Sequence, residues 1–253
     1  MDFVVKEEKG FKYIEQGEGK VLLLLHGLMG ALSNWQQVIE EFSKTYRVIV
    51  PMLPIYELPL LTLGVKSLTK FVQKFIRYKE LEDFIILGNS VGGHIGLVYA
   101  ITYPEKIKAM VLTGSSGLYE NAFGGSFPRR KSYEFIKGKV EYTFYDPKTA
   151  TKELVDDVYE SVNNRHKMLR LLAMAKSAIR HNMAKELHKI HVPVSLIWGK
   201  NDKITPPEVA VEFSQLLPNA ELTWVDHCGH VPMMERPEEF NRLLKGFLEN
   251  IKA

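Results

Sequence analysis

An apolar run, Phe84-Ile85-Ile86-Leu87, gives way to Gly88-Asn89-Ser90-Val91-Gly92 and then to a helical pattern starting near Gly92. No other stretch constrains the fold as tightly. A serine between two glycines at a strand-to-helix junction reads as a sharp turn that pushes its Oγ out of the fold and into a pocket. The serine of such a turn holds a strained backbone, and a side chain two residues before or after it would run into the neighbouring strand or helix. Glycine at 88 and 92 removes that obstacle.

Chemistry-bearing residues also follow other apolar runs. Residues 21–25 lead into His26-Gly27-Leu28-Met29-Gly30. Val194-Ser195-Leu196-Ile197-Trp198 leads into Gly199-Lys200-Asn201-Asp202, and Leu222-Thr223-Trp224-Val225 into Asp226-His227-Cys228-Gly229-His230. A serine, an acid and a histidine thus occur in that order, each just past a predicted strand, which is the chain order of one class of catalytic triad.

The intervening segments alternate between apolar strands and amphipathic helices: strands at 46–50, 84–88 and 107–113, helices at 33–43, 65–78 and 92–102. That alternation is what a mostly parallel sheet with helices on both faces requires. Residues 3–6 and 11–15, separated by Lys9-Gly10, read as an antiparallel hairpin that opens the sheet. From 115 to 190 the alternation stops, replaced by glycines, aromatics and helical patterns at 154–163 and 167–185. The chain therefore divides into an α/β core, 1–114 and 191–253, and an insertion, 115–190, expected to form a helical lid over the carboxyl ends of the strands; the alternative is a helical decoration that makes no substrate contact. A helix after Pro206-Pro207, a strand at 220–225 and a helix from Pro237 close the chain.

Charge and cysteine content exclude several function classes. The net charge of +3 arises from 33 basic and 30 acidic residues dispersed along 253, which argues for solubility and against nucleic-acid binding. The lone cysteine, Cys228, cannot form an intrachain disulfide, and no Cys/His spacing suggests zinc. The first eight residues carry charge where a signal peptide needs an apolar core. No apolar run approaches the roughly 18 residues needed to span a bilayer, so a cytoplasmic protein is expected.

Ser90 needs a base, and His230, following a strand and a glycine, is the candidate to take its proton and later deliver it to a leaving group. Asp202 would orient the imidazole; its other reading is a turn residue, and Asp226, four residues before His230, is the rival acid. Charge developing on a substrate oxygen needs preset donors, for which the backbone N–H groups of Leu28 and Val91 are the candidates. His26 reads as a brace for its loop, since His230 already fills the base position. Asn89 has two readings, substrate contact or satisfaction of nearby backbone groups. Phe123, Phe127, Tyr133, Phe135, Tyr142, Phe144 and Tyr145 would line an apolar substrate site or hold the insertion together.

With His26-Gly27-Leu28-Met29-Gly30, Asn34-Trp35, Gly88-Asn89-Ser90-Val91-Gly92-Gly93-His94, Trp198-Gly199-Lys200-Asn201-Asp202 and Gly229-His230 in place, the chain resembles the α/β-hydrolase superfamily over essentially its whole length. The resemblance implies Ser90, Asp202 and His230 as triad, no cofactor and no metal, and a small-molecule substrate. It argues against dehalogenase and epoxide-hydrolase chemistry, whose nucleophile is aspartate. The elbow is similar to that of the meta-cleavage-product hydrolases, in which the asparagine beside the serine and an arginine near the lid bind a dienol acid. Asn89 matches by position, but none of Arg129, Arg130, Arg165, Arg170 and Arg180 can be matched to that arginine. The segment Pro51-Met52-Leu53-Pro54-Ile55-Tyr56-Glu57-Leu58-Pro59-Leu60 departs from the usual aspartate and glycine-rich turn. Three functions follow: a serine carboxylesterase for small to medium apolar esters, a carbon-carbon bond hydrolase of diketones or dienol acids, and a binding protein without turnover. Gly124-Gly125 and the aromatics around them lead to the further expectation that the segment from 116 to 145 moves to admit substrate.

Overall fold

The structure, a computed structural model, describes residues 3–29, 35–121 and 129–251. Eight strands, β1 (Lys6–Glu8), β2 (Phe11–Gln16), β3 (Val21–Leu25), β4 (Arg47–Pro51), β5 (Phe84–Asn89), β6 (Ile107–Thr113), β7 (Val194–Gly199) and β8 (Ala220–Val225), form one sheet in the order β1-β2-β4-β3-β5-β6-β7-β8. Pairings from β4 through β8 are parallel, while β1–β2 and β2–β4 are antiparallel.

The opening hairpin pairs further along than the expected 3–6 strand. Lys9 and Gly10 both have positive φ, 50° and 81°, so they form a two-residue turn that sets Glu8 opposite Phe11. The first strand must then run back from Glu8 to Lys6, and all three of its residues are exposed.

Successive side chains of the central strands face opposite layers. Leu23 and Leu25 of β3 join Phe84 and Ile86 of β5 in a core shared with α2 (Val65–Tyr78), α3 (Val91–Thr102) and α7 (Pro207–Leu216). Leu22, Leu24, Ile85 and Leu87 face the other core, which includes Trp35, α1 (Gln36–Phe42) and α9 (Pro237–Asn250). Apolar strands with no polar face are thus covered on both sides. The sheet and its covering helices match the α/β-hydrolase fold that the motifs implied.

Among the described residues, three α-helices lie between β6 and β7: α4 (Tyr133–Glu141), α5 (Lys152–Asn163) and α6 (Arg165–Arg180). Each begins at a side-chain cap, respectively Ser132, Thr151 and Asn164, whose oxygen accepts a first-turn backbone N–H. α6 stops short of the expected residue 185, because the chain leaves the helix at His181 and the Asn182 side chain takes the Ala184 N–H. A short α8 (Pro232–Glu235) precedes α9. No described helix is long and apolar enough to cross a membrane.

Candidate active site

The chain runs from β3 to β4 on one side of the sheet and then crosses back to place β5 on the other side of β3. Such a reversal opens a crevice beyond the carboxyl ends of the two strands. Ser90 sits there as the residue immediately before α3, with φ 54° and ψ −124°. Both flanking glycines are required: a Cβ at Gly88 would lie 2.5 Å from the Gly93 Cα, and one at Gly92 would lie 2.0 Å from the Leu25 carbonyl oxygen. The elbow is also tied to β6, through the Ser90 N–H to Thr113 O at 3.2 Å and the Ser116 N–H to Ser90 O at 3.1 Å.

Asp202 and His230 meet at the ends of β7 and β8. The His230 Nδ1 is 2.9 Å from Asp202 Oδ2, and both side chains are buried. Asp202 is satisfied on every side: Oδ1 accepts the N–H groups of Ile204 (2.8 Å) and Thr205 (2.9 Å), and Oδ2 accepts the Thr205 hydroxyl (2.7 Å). With only acceptors on the carboxylate, the imidazole proton resides on Nδ1, and Nε2 keeps its lone pair. Asp226, the rival, lies on the surface in a 2.6 Å ion pair with Lys200.

The loop of His230 is itself anchored to the segment between β6 and β7. The His230 N–H donates to Thr143 O at 2.9 Å. Glu235 accepts the Gly229 N–H on one carboxylate oxygen and the Asp146 N–H on the other, both at 2.6 Å.

Ser90, His230, Leu28 and Asn89 line one pocket, walled by apolar side chains such as Met29, Val140, Phe144, Leu154 and Ile204. Gly27 brings the β3 loop against the nucleophile, its Cβ position lying 3.1 Å from the Ser90 Cβ. Val91 is the first residue of α3, where a backbone N–H has no acceptor within the helix.

Other sequence candidates are placed differently. Asn89 commits its amide nitrogen to two carbonyls, Thr113 O at 3.0 Å and His230 O at 3.3 Å, so it fastens the elbow to β6 and to the histidine loop. His26 braces its loop: the Leu53 N–H donates to Nε2 at 3.1 Å, which leaves Nδ1–H for Gly27 O at 2.8 Å. Burial pushes its pKa down, keeping it neutral. His94 pairs with His181 at 2.9 Å, and burial together with that neighbour lowers its pKa to about 3. Phe123 and Phe127 lie outside the described residues, as do Gly124 and Gly125. Of the remaining aromatics only Phe144 lines the pocket, while Tyr142 and Tyr145 are exposed and Tyr133 bonds Asp156. No arginine or lysine lines this pocket among the described residues. Arg130 contacts Met168, Arg170 bonds Leu58 O, Arg180 borders a separate cavity, and Arg129 and Arg165 are exposed.

Three residues of the site were not singled out from sequence. Thr205 closes the turn after Asp202, three residues upstream, and Glu235 ties Gly229 to the distant Asp146; neither residue type at those positions carries a pattern that marks it. Glu120, a pocket-lining carboxyl, sits in an irregular stretch with no periodicity, and its only signal is an acidic residue within an otherwise uncharged run from 114 to 128.

A model of the serine aminopeptidase (S33) family matches residues 57–237. The crystal structure of MGS-MChE2, an α/β-hydrolase enzyme from a metagenome of lagoon sediments at Mar Chica, Morocco, is 45% identical, covers 97% of this chain and 98% of its own, and superposes with a TM-score of 0.80. The 2-hydroxy-6-oxo-6-(2'-aminophenyl)hexa-2,4-dienoic acid hydrolase of Metapseudomonas resinovorans is 29% identical over 94% of this chain and 87% of its own length. Monoacylglycerol lipase ABHD6 of Mus musculus is 25% identical over 93% and 77%.

Proposed function

This chain belongs to the serine aminopeptidase (S33) family of α/β hydrolases, and on that premise we propose that it is a serine hydrolase cleaving carboxylic esters of small to medium apolar substrates. Ser90 is the nucleophile, His230 the base and Asp202 the acid that fixes the imidazole. As the Ser90 Oγ bonds to the ester carbonyl carbon, its proton passes to His230 Nε2. The carbonyl oxygen becomes an oxyanion held by the N–H groups of Leu28 and Val91. Collapse expels the alcohol, which takes the proton from His230. Water then gives a proton to His230 and attacks the acyl-enzyme, and the acid departs as Ser90 regains its proton.

The observation that carries the ester reading is the pocket wall, apolar and without a cation among the described residues. A dienoate needs a partner for its carboxylate, whereas a neutral ester needs none. Residues 115–190 act as the lid in this reading. Its 143–146 stretch is fixed to the His230 loop by the bonds to Thr143 and Glu235, so opening occurs elsewhere in the insertion.

Carbon-carbon hydrolysis of a dienol acid is the second reading, favoured by the Metapseudomonas resinovorans relative. It is also favoured by Lys167 in the adjoining cavity, which shares Leu28, Met29 and Val158 with the Ser90 pocket. Comparing kcat/KM on p-nitrophenyl butyrate and on a ring-cleavage dienoate tests the choice. Turnover of the ester at the higher efficiency is expected; turnover of the dienoate alone overturns the ester reading.

A further inference from the structure

Glu120 is the one carboxyl exposed to the Ser90 pocket among its described lining residues. Its Oε2 accepts the hydroxyl proton of Ser116, whose own N–H is bonded to Ser90 O at 3.1 Å. The next N–H, of Asn121, donates to Ile204 O at 2.6 Å, and Ile204 in turn donates to Asp202. The carboxyl is thereby held between the loop of the nucleophile and the loop of the acid. No described lysine or arginine pairs with it or lines the pocket.

We propose that Glu120 sets the charge selectivity of the Ser90 pocket, admitting neutral esters and excluding substrates that bring a carboxylate into it. The proposal rests on the serine-hydrolase reading above. A second carboxylate in the same apolar enclosure meets a like charge with little water between them, and no lysine or arginine among the described lining residues offsets it. Burial raises the Glu120 pKa, opposed by the Ser116 hydrogen bond and the charge of His230. Of the titratable groups around it, His230 lines the same pocket, while Asp202 lies behind the imidazole with its oxygens filled. The exclusion is therefore strongest at alkaline pH, where Glu120 is ionised, and weakens as pH falls toward its raised pKa.

The test compares kcat/KM for p-nitrophenyl butyrate, mono-p-nitrophenyl glutarate and 4-butyryloxybenzoate, which place a carboxylate on neither side, the acyl side and the leaving side of the ester. At pH 8 the neutral-to-anionic ratio should fall at least about tenfold in E120Q for one of the two anions or both. In the wild type the same ratio should shrink as pH falls from 8 to 6, a range in which both substrate carboxylates stay ionised, and it should shrink more than in E120Q. Unchanged ratios in E120Q overturn the proposal. Should E120Q not fold, a flat wild-type ratio over that pH range overturns it. Failure of the ester reading would show as no turnover of any ester; equilibrium binding of the same compounds to S90A and S90A/E120Q proteins then decides, with equal neutral-to-anionic ratios of dissociation constants again refuting it.

Discussion

Replacing Asp202 with asparagine changes one atom in a site where every position is already taken. Oδ1 faces two backbone N–H donors, from Ile204 and Thr205, and Oδ2 faces the Thr205 hydroxyl and His230 Nδ1. The asparagine amide oxygen must take the first position, because an NH₂ there would leave two buried donors unpaired at about 1–3 kcal/mol each. The NH₂ then points at His230 Nδ1, which can accept its hydrogen only by moving the imidazole proton to Nε2. In that tautomer His230 donates to Ser90 and cannot receive its proton. The corresponding change in serine proteases lowers kcat by about 10⁴, or about 5.5 kcal/mol at the barrier. The fold loses less, about 1–2 kcal/mol, since the Thr205 oxygen keeps a donor in D202N. The assay is kcat/KM on p-nitrophenyl butyrate beside urea unfolding of the same preparations, with D226N as the comparison. D202N retaining activity within about tenfold of the wild type while folded would refute the tautomer argument, and D226N should be active, because Asp226 touches only Lys200 at the surface.

Gly92→Ala places a methyl 2.0 Å from Leu25 O, so β3 and α3 must separate; it should cost about 3 kcal/mol or more, visible as a lowered urea midpoint. Glu15 contributes a pH-dependent term to stability. Burial alone would raise its pKa, but hydrogen bonds from Lys79, Arg47 and Lys6 outweigh this and hold it at about 2. A depressed folded-state pKa stabilises fully above the unfolded value and is lost as pH falls from about 4.5 to about 2. E15Q should lower stability at pH 7 by about 1–2 kcal/mol after allowance for solvent screening, and a wild-type unfolding curve no steeper in that window than that of E15Q would count against the network.

Much of the fold, and the meeting of Asp202 with His230, was legible because local chemistry and fold agree there. β6 and β8 end where the apolar runs end, and a Cβ at either elbow glycine would clash with the strand and helix that the sequence reading required. Asp202 and its rival Asp226 are told apart by their surroundings: backbone and hydroxyl donors hold Asp202 against His230, whereas Asp226 pairs with Lys200 at the surface. The first strand was displaced because register is set by the turn at Lys9 and Gly10, which outweighs the apolar pattern of Phe3, Val4 and Val5. Glu120, Thr205 and Glu235 stayed unseen for another reason. Each sits in a stretch too short or irregular for hydrophobic periodicity to give orientation, so the short-range bonds to Ser116, Asp202 and Gly229 become visible only with the turn geometry, and burial of Glu120 depends on how the chain folds after β6. The aromatics of the insertion left two readings open because composition marks apolar side chains without saying which way they face; Phe144 lines the pocket, while Tyr142 and Tyr145 are exposed.

The central claim, that Ser90 is a nucleophile activated by His230, is tested most directly by labelling with a fluorophosphonate probe and locating the adduct by mass spectrometry of the digested protein. The account predicts a single adduct on Ser90, absent in S90A and formed at least about 10³ times more slowly in H230A. An adduct at another residue, or equal labelling rates in H230A and wild-type protein, would contradict it.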